Sequence, residues 1–361
     1  MSAITGLHHI TLVCHDAQRT IDFYTLVLGM RSIKLTVNFD APESYHLYFG
    51  DETGTPGTAI TFFEWPGSPQ GKPGIGGTHH LALRVRSYDG LLMWKRRLTD
   101  WGIAVNGPLD RHYFTSIYFA DPDGTILEIA TDGPGWSIDE APDALGTVYR
   151  QPPPEMVVRN RDEAAIRATT WPEPVPVVTA AMALDLGMHH ISAISSNIEK
   201  THEFLSGVLG LRRVKMTSNF DDPSSPHWYW GAGDGRPGTI ITYFGRDARK
   251  ERRVQMGAGQ THHFAFAVPD DETQLLFREK LLSAGYRVSP VMDRVYFHSI
   301  YSNDPDGHIV EIATAGPGFL VDEPVATLGT TLKLPPWYEQ YRTEIEKAIK
   351  PVTVPPWRRP V

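Results

Sequence analysis

The sequence predicts an α+β fold built from four tandem βαβββ units. Three observations carry the prediction. First, the 361-residue chain repeats itself: Gly6 to Phe63 aligns with Gly187 to Phe244 without a gap at an offset of 181. From His80 onward the offset becomes 183 and holds through Arg111/Arg294, Tyr118/Tyr301 and Glu128/Glu311. Second, each half opens a strand-like run twice with a histidine pair: His8-His9 and His79-His80, then His189-His190 and His262-His263. Third, each half closes on the same hairpin, Arg111 to Gly135 and Arg294 to Gly318. Asp-Pro-Asp-Gly makes its turn, because Pro presets φ and Gly accepts a positive φ.

Behind each histidine-led strand the spacing predicts an amphipathic helix. These run Ala17 to Leu28, Tyr88 to Trp101 with Ser87 as cap, Ile198 to Leu209, and Asp271 to Ala284, each closed by Gly. Three strand-like runs follow every helix. Residues 1–150 thus hold the first pair of units and 184–330 the second pair. Residues 151–183 read as a Pro-rich connector with a short helix in Arg159 to Arg167, and 331–361 as a tail with one helical piece, Trp337 to Ile349.

A net charge of −8, with no basic cluster beyond Arg249 to Arg253, argues against a nucleic-acid partner and for a small molecule. The single cysteine, Cys14, excludes an intrachain disulfide framework and Cys-rich zinc sites, and points to a reducing, cytoplasmic compartment. Apolar runs stay well short of about 18 residues, and the start MSAITGLHHI lacks a basic stretch followed by an apolar one. Neither a membrane span nor a signal peptide is expected.

Adjacent strand residues point to opposite faces, so one histidine of each pair is expected to look into a cavity. Counting by twos, the first histidines share a face with bulky residues (His8, Ile10, Leu12; His262, Phe264, Phe266), suited to packing under a helix. The second share a small, partly polar face (His9, Thr11; His80, Ala82; His190, Ser192; His263, Ala265). His9, His80, His190 and His263 are therefore the candidates for a concave surface. Glu128 and Glu311, lone carboxylates among Ile, Leu, Val and Ala, would meet them there. A buried Glu without a partner is costly. Two histidines and one carboxylate on rigid strands form a metal shell with open positions, suited to non-haem Fe(II).

This arrangement resembles the vicinal oxygen chelate superfamily, which includes glyoxalases, epimerases, antibiotic-resistance proteins and extradiol dioxygenases. More closely, Gly6 to Thr11, Tyr45 to Thr58, His262 to Val268 and Arg294 to Glu311 are similar to hydroquinone and chlorohydroquinone ring-cleaving dioxygenases. The likeness runs from Gly6 to about Pro336. It implies two pseudo-symmetric open-barrel domains and an Fe(II) (or Mn(II)) centre at His9, His263 and Glu311. Tyr301, Arg294, Thr11, His8 and His262 become its candidate surroundings, with a small dihydroxylated aromatic and O2 as partners and a homo-oligomer as a possible assembly.

The sequence also completes a second set, His80, His190 and Glu128, beside Arg111 and Tyr118. Pairing units one with two and three with four would give different triads; the resemblance favours the crossed pairing. A glyoxalase-like isomerase or lyase is the enzymatic alternative, and a non-catalytic binding module the other.

Overall fold

A computed structural model describes residues 4–361. The first unit comprises β1 (Gly6–Cys14), α1 (Ala17–Asp22), β2 (Arg31–Asn38), β3 (Ala41–Gly50) and β4 (Ala59–Glu64). The second has β5 (Thr78–Val85), α2 (Tyr88–Asp100), β6 (Asn106–Asp110), β7 (Thr115–Ala120) and β8 (Ile126–Thr131). A short β9 (Tyr149–Arg150) ends the first half, and α3 (Glu163–Ala168) lies in the connector. The third unit is β10 (Met188–Ser195), α4 (Ile198–His202), β11 (Arg212–Asn219), β12 (Asp222–Gly231) and β13 (Ile240–Gly245). The fourth is β14 (Thr261–Val268), α5 (Asp271–Ser283), β15 (Met292–Asp293), β16 (Phe297–Asn303) and β17 (Ile309–Pro317), and α6 (Arg342–Ala348) closes the tail.

Two sheets result, and each takes one unit from either half. One runs β15-β16-β17-β14-β1-β4-β3-β2, joining units four and one; the other runs β6-β7-β8-β5-β10-β13-β12-β11-β9, joining units two and three. The crossed pairing is the one present. Its seams are the antiparallel pairs of histidine strands, β1 with β14 and β10 with β5. Ile10, Leu12, Phe264 and Phe266 meet the helix residues Ile21, Phe277 and Leu281 in the main core, so the helices cover one face of each sheet. The opposite face stays free for chemistry.

Two of the four expected helices change character midway. After α1, Phe23–Val27 is a π-turn segment, and after α4 so is Glu203–Val208, with Leu28 N–H reaching the Phe23 carbonyl and Leu209 N–H the Phe204 carbonyl. An inserted residue widens the turn without breaking the apolar stripe, which is why the 3.6-residue spacing reads straight through it. The connector helix begins later than expected because Asp162 caps it. The tail's helical piece opens as a 3₁₀ stretch, Pro336–Tyr341, before α6.

The segment after each hairpin folds back onto a buried lysine. Lys34 is 0 % exposed and bonds Asp322 at 2.6 Å and also Glu323, with its ammonium 4.7 Å from the Tyr296 ring centre. Lys215 repeats this with Asp139, Glu140 and Tyr113. Removing one partner of a buried pair leaves the other charge uncompensated. Lys34→Met is therefore expected to destabilise the fold by about 3–5 kcal/mol in urea denaturation; a loss under about 1 kcal/mol would show that Glu323 is not held by this ammonium.

Candidate metal centre

Strand register brings the three candidate ligands together. His9 on β1 stands opposite Ala265 on β14, Ala265 opposite Glu311 on β17, and Glu311 opposite Tyr301 on β16. Residues directly opposite one another share a face, so His9, Glu311 and Tyr301 form one row with a small alanine in the gap. His263 precedes Ala265 by two and so joins the same face. The second sheet repeats the row as His190, Ala82, Glu128 and Tyr118, with His80 two residues before Ala82.

The resulting triads are tight and buried. The Glu311 carboxylate lies 3.2 Å from His9 Nε2 and 3.0 Å from His263 Nε2, and the two imidazole nitrogens are 3.3 Å apart. In the twin the distances are 2.9 Å from Glu128 to His80, 3.4 Å to His190 and 3.1 Å between the nitrogens. Both Glu residues are 0 % exposed. Among the described residues these are the two groups arranged to hold a metal.

The histidine pairs depart from strict alternation. The ladder skips His8 and His262 where β1 meets β14, and His189 and His79 where β10 meets β5. Each first histidine is thus the extra residue of a β-bulge, which re-aims its side chain. Instead of lying under a helix, it places its Nδ1 2.8–2.9 Å from Nδ1 of the second histidine in all four pairs. His79 and His262 reach the cavities themselves.

This contact sets the protons. His8 Nε2 is 3.1 Å from the Thr314 carbonyl, which can only accept, so that nitrogen carries the hydrogen. Burial, then its neighbour His9, depresses the His8 pKa to about 3, so the ring is neutral and its Nδ1 is a lone pair. That lone pair can take the Nδ1–H of His9, which turns His9 Nε2 toward Glu311. Carboxylate–histidine and carbonyl–histidine supports of this kind orient metal ligands. Here an imidazole is interposed.

Glu311 Oε1 accepts from Ser299 Oγ, while Oε2 faces the Nε2 atoms of His9 and His263; Glu128 repeats this with Ser116, His80 and His190. Burial alone would raise these carboxyls, yet the paired histidines outweigh it and hold both well below the usual range. Positive charge on the facing imidazoles keeps each carboxylate ionised, and a divalent cation held by the same three atoms would take the place of those protons. Ligands held about 2.1 Å from one ion at right angles lie about 3 Å apart, which the observed edges match. The donor set fits a divalent metal.

Of the surrounding candidates, Thr11 Oγ1 lies 2.9 Å from His263 Nε2 and 2.7 Å from Thr61 Oγ1. Arg294 Nε donates to Tyr301 OH at 3.2 Å, and the Tyr301 ring stands edge-on to His263. Burial, chiefly, pushes the Tyr301 phenol upward, so it keeps its proton. A cavity of about 290 Å³ opens over this centre, walled by Phe39, Tyr48, Phe63 and Phe297; a cavity of about 330 Å³ opens over the other. His46 bonds Thr61 at 2.9 Å and Tyr48 at 3.0 Å, and lines the first cavity. Ser299, Ser116 and Phe297 were not anticipated, although Ser299 sits two residues before Tyr301 and so on the ligand face.

Two sheets, each with an inward 2-His-1-carboxylate shell over an aromatic cavity, define a metal-dependent protein of the paired βαβββ class. The chain belongs to the Glyoxalase/Bleomycin resistance protein/Dioxygenase superfamily, whose sequence pattern matches residues 6–129 and 187–312. It is 36 % identical to the Bacillus subtilis protein named "Putative ring-cleaving dioxygenase MhqO", over 97 % of each chain. It is 27 % identical to the chlorohydroquinone/hydroquinone 1,2-dioxygenase of Sphingobium indicum, over 95 % of each. A Bacillus subtilis crystal structure described as a "putative dioxygenase" superposes with a TM-score of 0.78 at 33 % identity, covering 98 % of this chain and 99 % of that one. Maize (Zea mays) glyoxalase I shares the fold, with a TM-score of 0.55 at 14 % identity over 86 % and 92 %.

Proposed function

We propose that the chain is a non-haem Fe(II)-dependent dioxygenase that opens hydroquinone-type rings at His9, His263 and Glu311, with His190, His80 and Glu128 as a second metal centre. One observation carries the reading: in each centre two imidazole nitrogens and a buried carboxylate oxygen converge within 3.4 Å beneath an aromatic-walled cavity. Names of relatives at 27–36 % identity support the reaction class. A bound Fe(II) supplies a Lewis acid for a substrate hydroxyl and an electron route to O2.

The protein's own groups do the rest. Phe297, Phe63 and Phe39 hold an aromatic ring and exclude water. Tyr301 accepts from Arg294, so its O–H is free to donate to an oxygen on the substrate, and the guanidinium steadies negative charge that gathers there. His262 receives the Nδ1–H of His263 and therefore presents its Nε2–H to the cavity as a second neutral donor. Both atoms of O2 enter the product as one ring C–C bond breaks, so no external reductant is consumed. The glyoxalase-like alternative is disfavoured because each triad has a single carboxylate.

No helix of the described residues is long and apolar enough to cross a membrane. One buried cysteine supports a reducing, cytoplasmic setting. The test is oxygen uptake by anaerobically purified, Fe(II)-loaded protein. Hydroquinone is expected to consume one O2 per ring opened, with both atoms of ¹⁸O2 in the product. Zinc or nickel in the isolated protein and no oxygen uptake would overturn the assignment.

A further inference from the structure

The two cavities repeat almost residue for residue near the triads: Phe297 and Phe114, Tyr301 and Tyr118, Arg294 and Arg111, His46 and His227. They part at the rim, where the second cavity adds Asn106, Asp222 and Arg246 and the matching residues Ser289, Ala41 and Trp65 do not line the first. Trp65 and Arg246 are 181 residues apart and occupy the same place, since Trp65 N–H bonds the Cys14 carbonyl and Arg246 N–H the Ser195 carbonyl, both at 2.8 Å. Trp65 stands edge-on to His262 at 5.9 Å, an apolar neighbour for the first-of-pair histidine. Arg246 instead lines its cavity beside His79, with its guanidinium carbon 6.0 Å from the Phe244 ring centre.

That guanidinium is only partly engaged. Among the described residues, Nη1 bonds Asp222 and its other nitrogens have no protein acceptor. The Asp222 side chain is 40 % exposed and that of Arg246 23 %, so the pair sits at the solvent-facing edge of the cavity. Planar guanidinium with unused donors at the mouth of an aromatic cavity suits a carboxylate. Keeping the candidate triads identical while adding an Arg246–Asp222 pair at the rim, where the other half has Trp65 and Ala41, changes which ring is admitted, not the chemistry beneath it.

We infer that the cavity over His80, His190 and Glu128 is a second substrate site selective for hydroxylated aromatic rings bearing a carboxylate, recognised by Arg246, whereas the cavity over Glu311 takes uncharged rings. The inference rests on the proposed function for its second metal centre. Single-centre proteins separate the two cavities: Glu311→Ala leaves the Arg246 cavity intact and Glu128→Ala the Trp65 cavity. Each is titrated calorimetrically, under nitrogen and after Fe(II) loading, with 2,5-dihydroxybenzoate and with hydroquinone.

The Glu311→Ala protein is expected to bind the benzoate about tenfold more tightly than hydroquinone, and the Glu128→Ala protein to show the reverse order. Arg246→Met should erase the benzoate preference, and Asp222→Asn should strengthen it by freeing the guanidinium, a gain that damage to the fold does not produce. Equal affinities in both proteins, or a preference indifferent to Arg246→Met and Asp222→Asn, overturns the inference. Metal analysis of the same samples scores the other reading separately. A Glu311→Ala protein devoid of iron refutes the second metal centre, while its benzoate titrations still decide the role of Arg246.

Discussion

Glu311→Ala is expected to lower hydroquinone cleavage by at least about a thousandfold and to reduce bound iron from two ions per chain to one. Supports one step removed from a metal typically cost 10–100-fold when deleted, and Glu311 is the only carboxylate in its triad. Loss of the side chain removes the anion that balances the metal and leaves two imidazoles, too few to fix an ion with open positions. Ser299 loses its acceptor as well, but it lies on β16 beside the cavity, so the sheet itself is untouched. Glu311→Gln is the matching control: the amide keeps the shape, donates where Oε2 must accept, and is expected to lose the metal too. Glu128→Ala should leave hydroquinone turnover within a few-fold while also removing one ion. Plasma emission analysis of anaerobic protein, alongside an oxygen electrode, checks both. Full turnover with two irons in Glu311→Ala would refute the placement of the centre.

The repeat made much of this legible before any coordinates. Offsets of 181 and 183 placed His9 on His190 and Glu128 on Glu311, and small residues at Ala265 and Ala82 marked the face along which ligands can meet. Strand pairing is not written in such offsets, because each unit offers the same edges to more than one neighbour. The crossed arrangement was therefore reachable from the residues only with the help of resemblance. Bulges at His8, His79, His189 and His262 were hidden for another reason: an inserted residue costs the pattern one position, and the bulky row Ile10, Leu12 resumes as if nothing had intervened. The doubled histidine was itself the available clue, since strict alternation would set one polar ring of each pair among the apolar residues under a helix. Trp65 and Arg246 stood at matching positions all along, and acquired meaning once the cavities were seen to share nearly everything else.

Metal removal should weaken the fold in two separable steps. A ligand that binds only the native state adds about 2.7 kcal/mol of stability at a hundred times its dissociation constant, and each triad spans the seam between two units. Stripping the ion leaves a buried carboxylate and two imidazoles 2.9–3.4 Å apart with only protons to join them. Chelation is therefore expected to lower the thermal midpoint by about 5 °C or more. The triads share no ligand and lie in different sheets, so their contributions should add. Glu128→Ala and Glu311→Ala should each retain about half of the chelator-induced shift, and the double variant none. Calorimetric scans with and without chelator, repeated after re-addition of Fe(II) under nitrogen, check the sequence. A wild-type midpoint unmoved by complete removal of iron would mean that the units hold their seams without it. The bare triads would then have to be stabilised by protons shared between imidazole and carboxylate, and the midpoint of the stripped protein would fall as rising pH removed those protons.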